Sequence, residues 1–257
     1  MADELKIDGV VAENLPEEKS ADTALLEEMA KAGLLFGRKR SRTNPRMKKY
    51  IHTTRNGVEI FDLVQTIELI DKARAFLKEM VKTGRPILFV GTTPASQATV
   101  KAIAEKFGYP FVAERWLGGT LTNFETISKR LNYYMTLKSD QATGKLDKYT
   151  KKERTAMDKE IARLTRLFGG LEKLSALPAA IVVAGTDAHD IAIREAKRMR
   201  VPVISIANTS ASPDMIDYII PSNDNSVLSI QFIFKKLEEA IQTGANERSA
   251  GLVPNKK

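Results

Sequence analysis

The chain has 257 residues, 43% of them hydrophobic, which is enough to bury a sizeable core and excludes disorder throughout. Forty Lys plus Arg against 32 Asp plus Glu leave a formal charge of +8, which favours polyanionic partners without choosing between RNA, DNA and an anionic membrane. Cysteine is absent, so disulfides, thiolate metal sites and cysteine nucleophiles are excluded.

The charge is unevenly placed along the chain. Acids dominate from Asp3 to Glu28, and the stretch Met1 to Ser20 has neither the positive start nor the apolar run of a signal peptide. No segment approaches about 18 consecutive apolar residues, so a soluble, cytoplasmic protein is expected. Between Glu28 and Glu59 there is no acid, and this gap holds Lys31, Arg38, Lys39, Arg40, Arg42, Arg46, Lys48, Lys49 and Arg55. Gly37 and Asn44-Pro45 forbid one continuous helix through it, because proline removes a donor and restricts its predecessor. An irregular basic arm is expected.

From Val58 onward, short apolar runs alternate with amphipathic stretches, as in βα units around a parallel sheet. Strands are expected at Val58 to Phe61, Ile87 to Val90, Ala180 to Val183, Val203 to Ile206 and Tyr218 to Ile220. Helices are expected at Val64 to Val81, Ser96 to Phe107, Ile191 to Arg198 and Val227 to Ile241. Gly84, Gly91, Gly108 and Gly185 fall at element ends.

The long gap between Phe111-Val112 and Ala180 breaks the alternation. Leu121, Phe124, Leu131 and Met135 form one apolar stripe, and Met157, Ile161, Leu164 and Phe168 form a second beyond Gly144. Two helices folding back as an antiparallel hairpin satisfy both stripes, with Tyr133, Tyr134, Lys138, Lys148, Lys151 and Lys152 expected toward its tip.

Few motifs carry catalytic chemistry. Leu88-Phe-Val-Gly-Thr-Thr-Pro94 is a strand, a glycine turn and a helix start, but it lacks both the GxGxxG and GxxxxGK[ST] patterns. His52 and His189 are far apart without metal-ligand spacing, and His189 reads as part of a cap for the helix at Ile191. Ser205 and Ser210 lack a nucleophile elbow. The polar clusters Asn208 to Asp217 and Ser222 to Asn225 fall at strand ends, where turns and a small-ligand site are both readings. Glu114 to Phe124 places the single Trp beside Arg115 and a double glycine. These residues suit nucleotide stacking, or Trp116 plugging the gap between hairpin and sheet, and both readings stand.

At this stretch the sequence resembles a known family. Arg115-Trp-Leu-Gly-Gly-Thr-Leu-Thr-Asn123 is similar to the signature of the small-subunit ribosomal protein two family. Asn44 to Ile51, Leu88 to Thr92, Thr150 to Glu153, Phe168-Gly-Gly170, Ile191 to Ala196, Pro213-Asp214, Asp217 to Pro221 and Asn223-Asp224 match further pieces in the family's order. The resemblance implies a doubly wound, mostly parallel α/β sheet with helices on both faces and an inserted antiparallel helical hairpin of coiled-coil type. It divides the chain into an acidic extension (1–21), a first α/β part (22–120) with the basic arm at 36–55, the hairpin (121–176), a second α/β part (177–243) and a flexible tail (244–257).

The resemblance further implies a non-enzymatic, ribosome-bound protein near the junction of head and body, without cofactor, membrane contact or functional homo-oligomer. Its expected partners are small-subunit rRNA and neighbouring ribosomal proteins; in many bacteria such proteins help to seat ribosomal protein one. The expected rRNA-binding residues are Arg38, Lys39, Arg40, Arg42, Arg46, Lys48, Lys49, Arg55, Arg115, Lys151 and Lys152, and Trp116, Gly118, Gly119 and Asn123 are expected to form the hairpin base. The family's Gly-x-His-Phe-Gly-His is Gly33-Leu-Leu-Phe-Gly-Arg38 here, and its acidic or amide positions near the sheet end are Gly185, Asn208, Ser210, Ser212 and Asn225, so no metal is expected. A sugar-phosphate or nucleotide enzyme using Gly91, Asn208 and Asp224, and a protein scaffold without RNA, are the alternatives.

Overall fold

The computed structural model describes residues 18–251. Most of the acidic extension (1–17) and the end of the expected tail (252–257) lie outside the described residues.

Five short strands build a parallel sheet: β4 (Ile87–Val90), β5 (Phe111–Val112), β6 (Ala180–Ala184), β7 (Val203–Ala207) and β8 (Tyr218–Pro221), in the order β5-β4-β6-β7-β8. Every residue of β4, β6 and β7 is buried, as expected of apolar strands covered on both faces. Alternation then divides them between two cores. Leu88, Val90, Ile181 and Val183 face one core, and Ile87, Phe89, Val182 and Ala184 face the other.

On the second face lie α1 (Glu18–Lys31), α2 (Leu63–Lys82), α3 (Gln97–Phe107) and α7 (Val227–Gly251), which contribute Met29, Ile70, Leu77, Val100, Ile233 and Leu237 to that core. The first face is covered by α6 (Asp190–Arg198) through Ala192, Ile193 and Ala196, and by the base of the hairpin. The α/β class is therefore as expected, with helices on both faces.

Three expectations are corrected. Val58–Phe61 (β3) does not join the parallel sheet. It is the central strand of a separate antiparallel sheet with Phe36–Lys39 (β1) and Ile51–Arg55 (β2), in the order β1-β3-β2. The cause is local: Asn56 and Gly57, at φ 50° and 75°, turn the chain back on itself in two residues, whereas a parallel partner needs a crossover of about a dozen. The basic segment is consequently not irregular. Its two strands are joined by tight 3-10 turns at Arg40–Arg42 and Pro45–Tyr50, the latter capped by the Asn44 side chain accepting the Arg46 N–H at 3.0 Å.

Second, α7 continues through Gly244 to Gly251 where a flexible tail was expected. Gly244 is no breaker here, because a Cβ would stand 2.8 Å from the Lys78 carbonyl oxygen. Its missing side chain lets α7 lie directly against α2.

Third, the hairpin stripes differ in one member. The helices α4 (Phe124–Ala142) and α5 (Lys151–Phe168) pack through Leu131, Tyr134, Ile161, Leu164 and Phe168, while Met135 is exposed. Tyr134 is fully buried, with its hydroxyl donating to Glu172 at 3.0 Å, so of the two tyrosines only Tyr133 offers a free ring. Lys138, on the surface, pairs with Glu172 at 2.7 Å. Positions three and four residues after Leu131 both fall on its side of the helix; Tyr134 takes the buried one against α5 and Met135 lies at the open edge.

Candidate nucleic-acid interface

The small antiparallel sheet presents the basic segment as a fixed surface. Lys39, Arg40, Arg42, Arg46, Lys48, Lys49 and Arg55 are all exposed. Arg46 pairs with Asp214. Among the described residues, the other six have no carboxylate within ion-pair distance, although ion pairs are common elsewhere on the surface. Unneutralised like charges on a rigid scaffold repel one another, and a polyanion relieves that cost.

Arg38 behaves differently from its neighbours. Its guanidinium turns inward to Asp224 at 3.2 Å, and its backbone N–H donates to the Thr209 hydroxyl at 2.9 Å. Asp224 also accepts from the Asn208 amide at 2.7 Å, and the Asn44 N–H donates to the Thr209 carbonyl at 2.8 Å. The two sheets are thus fastened together where the parallel strands end. Arg38→Ala leaves the Asp224 carboxylate, 7% exposed, without its cation, and is expected to lower unfolding free energy by about 1–3 kcal/mol in a denaturant titration.

The strand order reverses between β4 and β6, and such a switch point is where open α/β sheets usually take a ligand. Here the chain itself fills it. His189 stands at the N-cap of α6, as expected, but its side chain makes no cap hydrogen bond: its Nε2 accepts the Thr92 N–H at 2.8 Å, and its Nδ1–H donates to the Gly185 carbonyl at 2.6 Å. Burial pushes its pKa below the usual histidine value against the raising effects of the Gly185 carbonyl and Asp224, so the ring is held neutral. A neutral imidazole bonded at both nitrogens has no lone pair or proton left for acid–base work. No cluster of three or more metal-ligating side chains occurs among the described residues.

The signature loop is organised by a residue that sequence reasoning passed over. The Glu195 carboxylate, projecting from α6, accepts the Trp116 indole N–H at 3.1 Å and the backbone N–H groups of Gly119, Leu121 and Thr122 at 2.8, 3.0 and 3.2 Å. The Thr122 hydroxyl adds a fifth bond at 3.2 Å. Trp116 is therefore held inward against the core at the point where the chain enters the hairpin. Gly118 is exposed, Gly119 partly buried, and Asn123 precedes the first residue of α4 without a side-chain cap. A cue for Glu195 existed: an acid on the buried face of a helix, beside Ala192 and Ala196, needs a partner.

Arg115 is exposed beside this loop, and Lys151 and Lys152 are exposed in the first turn of α5 behind the Thr150–Glu153 capping box. None of the three is paired with a carboxylate among the described residues. These three belong to the signature loop and to α5, not to the basic sheet. No helix among the described residues is long and apolar enough to cross a membrane.

Comparison with known proteins agrees with this architecture. The model of the family described as ribosomal protein S2 matches residues 29–244. The small ribosomal subunit protein uS2 of Roseiflexus castenholzii is 40% identical over 227 residues, covering 88% of this chain and 85% of that protein. The uS2 proteins of Dehalococcoides mccartyi (40% over 224 residues; 87% and 91% covered) and Nocardia farcinica (41% over 227 residues; 88% and 79% covered) are similar to the same extent. The chain belongs to the ribosomal protein S2 family, whose members are structural and not enzymatic.

Proposed function

We propose that the chain is a structural constituent of the small ribosomal subunit, and that the outer surface of its basic sheet lies along rRNA phosphates. The observation that carries this is the set of exposed cations Lys39, Arg40, Arg42, Lys48, Lys49 and Arg55, without a carboxylate partner among the described residues, on one small antiparallel sheet and the 3-10 turns that join its strands. Arg46 shares the surface through its pair with Asp214, and Arg38 supports it from beneath through Asp224. Cosedimentation with small subunits across a salt series, with and without ribonuclease, tests the reading. Stoichiometric comigration lost on ribonuclease treatment is expected; a protein that stays at the top of the gradient in every condition overturns it.

The hairpin supplies a second contact. Lys151 and Lys152 sit at the N-terminus of α5, where the helix dipole disfavours positive charge. Their replacement by alanine is expected to stabilise the protein by about 0.3–1 kcal/mol per residue at low salt. The same variant is expected to enter subunits less readily, because the charges are kept for a phosphate partner; competition in a reconstitution mixture reads this.

A small-molecule enzyme is disfavoured by the same structure. The ligand position at the switch point is filled by His189, and Asn208 and Asp224 are engaged with each other and with Arg38.

A further inference from the structure

The opposite end of the parallel sheet carries a pocket that none of the preceding contacts uses. It opens at the starts of β4 and β5, beside Pro86 and Pro110, with a volume of about 490 Å³. Phe107 and Tyr109 contribute aromatic rings, Lys173 and Arg248 contribute cations, and Ser175 and Ser249 contribute hydroxyls. Among the described residues, no carboxylate lines it.

The cations are held in place by the ends of two helices. The Arg248 guanidinium lies against Gly84, just beyond α2, and the Lys173 ammonium lies against Gly108, the residue capping α3. A helix C-terminus carries about half a negative charge, which attracts a cation and leaves it incompletely neutralised. Neither Lys173 nor Arg248 has a carboxylate within ion-pair distance among the described residues. Tyr109 also packs against Phe89 with ring centroids 6.0 Å apart, which fixes the plane it offers. Burial raises the Tyr109 hydroxyl pKa above its ordinary value, with Arg248 opposing, so it stays protonated and able to donate at neutral pH.

We propose that this pocket is a nucleotide site, taking one unstacked base on Phe107 and Tyr109 and its phosphate on Lys173 and Arg248. Aromatic faces accept any base by stacking, and paired cations accept the phosphate. An unpaired nucleotide of an RNA strand and a free mononucleotide share this chemistry. The site is separate from the basic sheet, at the other end of the strands, and does not depend on what that sheet binds.

The test is an amide-shift titration of the isotopically labelled full chain with AMP, adenosine, inorganic phosphate and a short single-stranded oligoribonucleotide. AMP is expected to move the amides of Gly84, Gly108 and Tyr109, and to bind more tightly than adenosine or phosphate alone. The double variant Lys173→Ser, Arg248→Ser changes two exposed side chains and should remain folded, while weakening AMP at least about tenfold. The variant Arg40→Ala, Arg42→Ala, Lys48→Ala should leave these shifts in place. An oligonucleotide that binds here about tenfold more tightly than AMP assigns the site to an RNA strand, and equal binding assigns it to a free mononucleotide. Absent shifts at Gly84, Gly108 and Tyr109, or shifts unchanged in the double variant, overturn the proposal.

Discussion

Glu195→Ala is expected to be among the most destabilising single substitutions in this protein, lowering unfolding free energy by about 3–4 kcal/mol. It removes five hydrogen bonds at once and leaves the Trp116 indole N–H and the Gly119, Leu121 and Thr122 amides facing a space that held a carboxylate. Each orphaned donor loses part of its compensation for leaving water, and entering water recovers some of it, so the total stays below the sum of the bonds. For a chain of this size the midpoint of thermal unfolding should fall by about 10 °C.

The effect has a pH signature. Burial raises the Glu195 pKa, but the bonds from Gly119, Trp116, Leu121 and Thr122 outweigh it and hold the folded value below the ordinary 4.5. A depressed folded pKa contributes stability that is fully present above the unfolded value and is lost as pH falls through the folded value. Wild type and Glu195→Gln should therefore differ by a constant amount at neutral pH and converge below about pH 4.5 in urea titrations. A gap that persists unchanged into acid would show that the charge on Glu195 is not what organises the loop.

The second large effect concerns binding and leaves stability almost untouched. Replacing Arg40, Arg42 and Lys48 by alanine should flatten the log–log salt dependence of rRNA binding by about two to three units, at about 0.7–0.9 per lost phosphate contact. All three side chains are exposed and have no carboxylate partner among the described residues, so unfolding free energy should change by no more than about 0.5 kcal/mol each. Arg38→Ala is the internal contrast: it should lower stability through Asp224 while changing the slope less than any of the three. Equal slopes for wild type and the triple variant would remove the basic sheet from the interface.

Much of the main sheet was legible because its strands are apolar runs bounded by turn residues. Ala180–Ala184 and Val203–Ala207 could hardly be anything but buried strands between helices. The helices α2 and α3 likewise announce themselves by periodicity, and the hairpin by two stripes of the right spacing. β1 and β2 were missed because Phe-Gly-Arg-Lys and Ile-His-Thr-Thr-Arg are polar and exposed, so no buried face marks them. They are strands because β3 pairs with both. The Asn56-Gly57 dipeptide between β2 and β3 was nonetheless an available signal for a two-residue hairpin.

The candidate interface divides along the same line. That the segment from Lys39 to Arg55 is basic and free of acids is a property of the chain, and so is its attraction for a polyanion. Which of its cations stay free was decided by folding, which turned Arg38 onto Asp224, 186 residues away, and Arg46 onto Asp214. The polar residues at the sheet end read as turns ahead of a ligand site, and His189 fills the crevice beside them. Local pattern records which face of an element leaves water, because burial repeats with the period of the helix or strand. It does not record what satisfies a buried polar group, because that partner comes from anywhere in the chain, as Glu195 does for Gly119 across 76 residues.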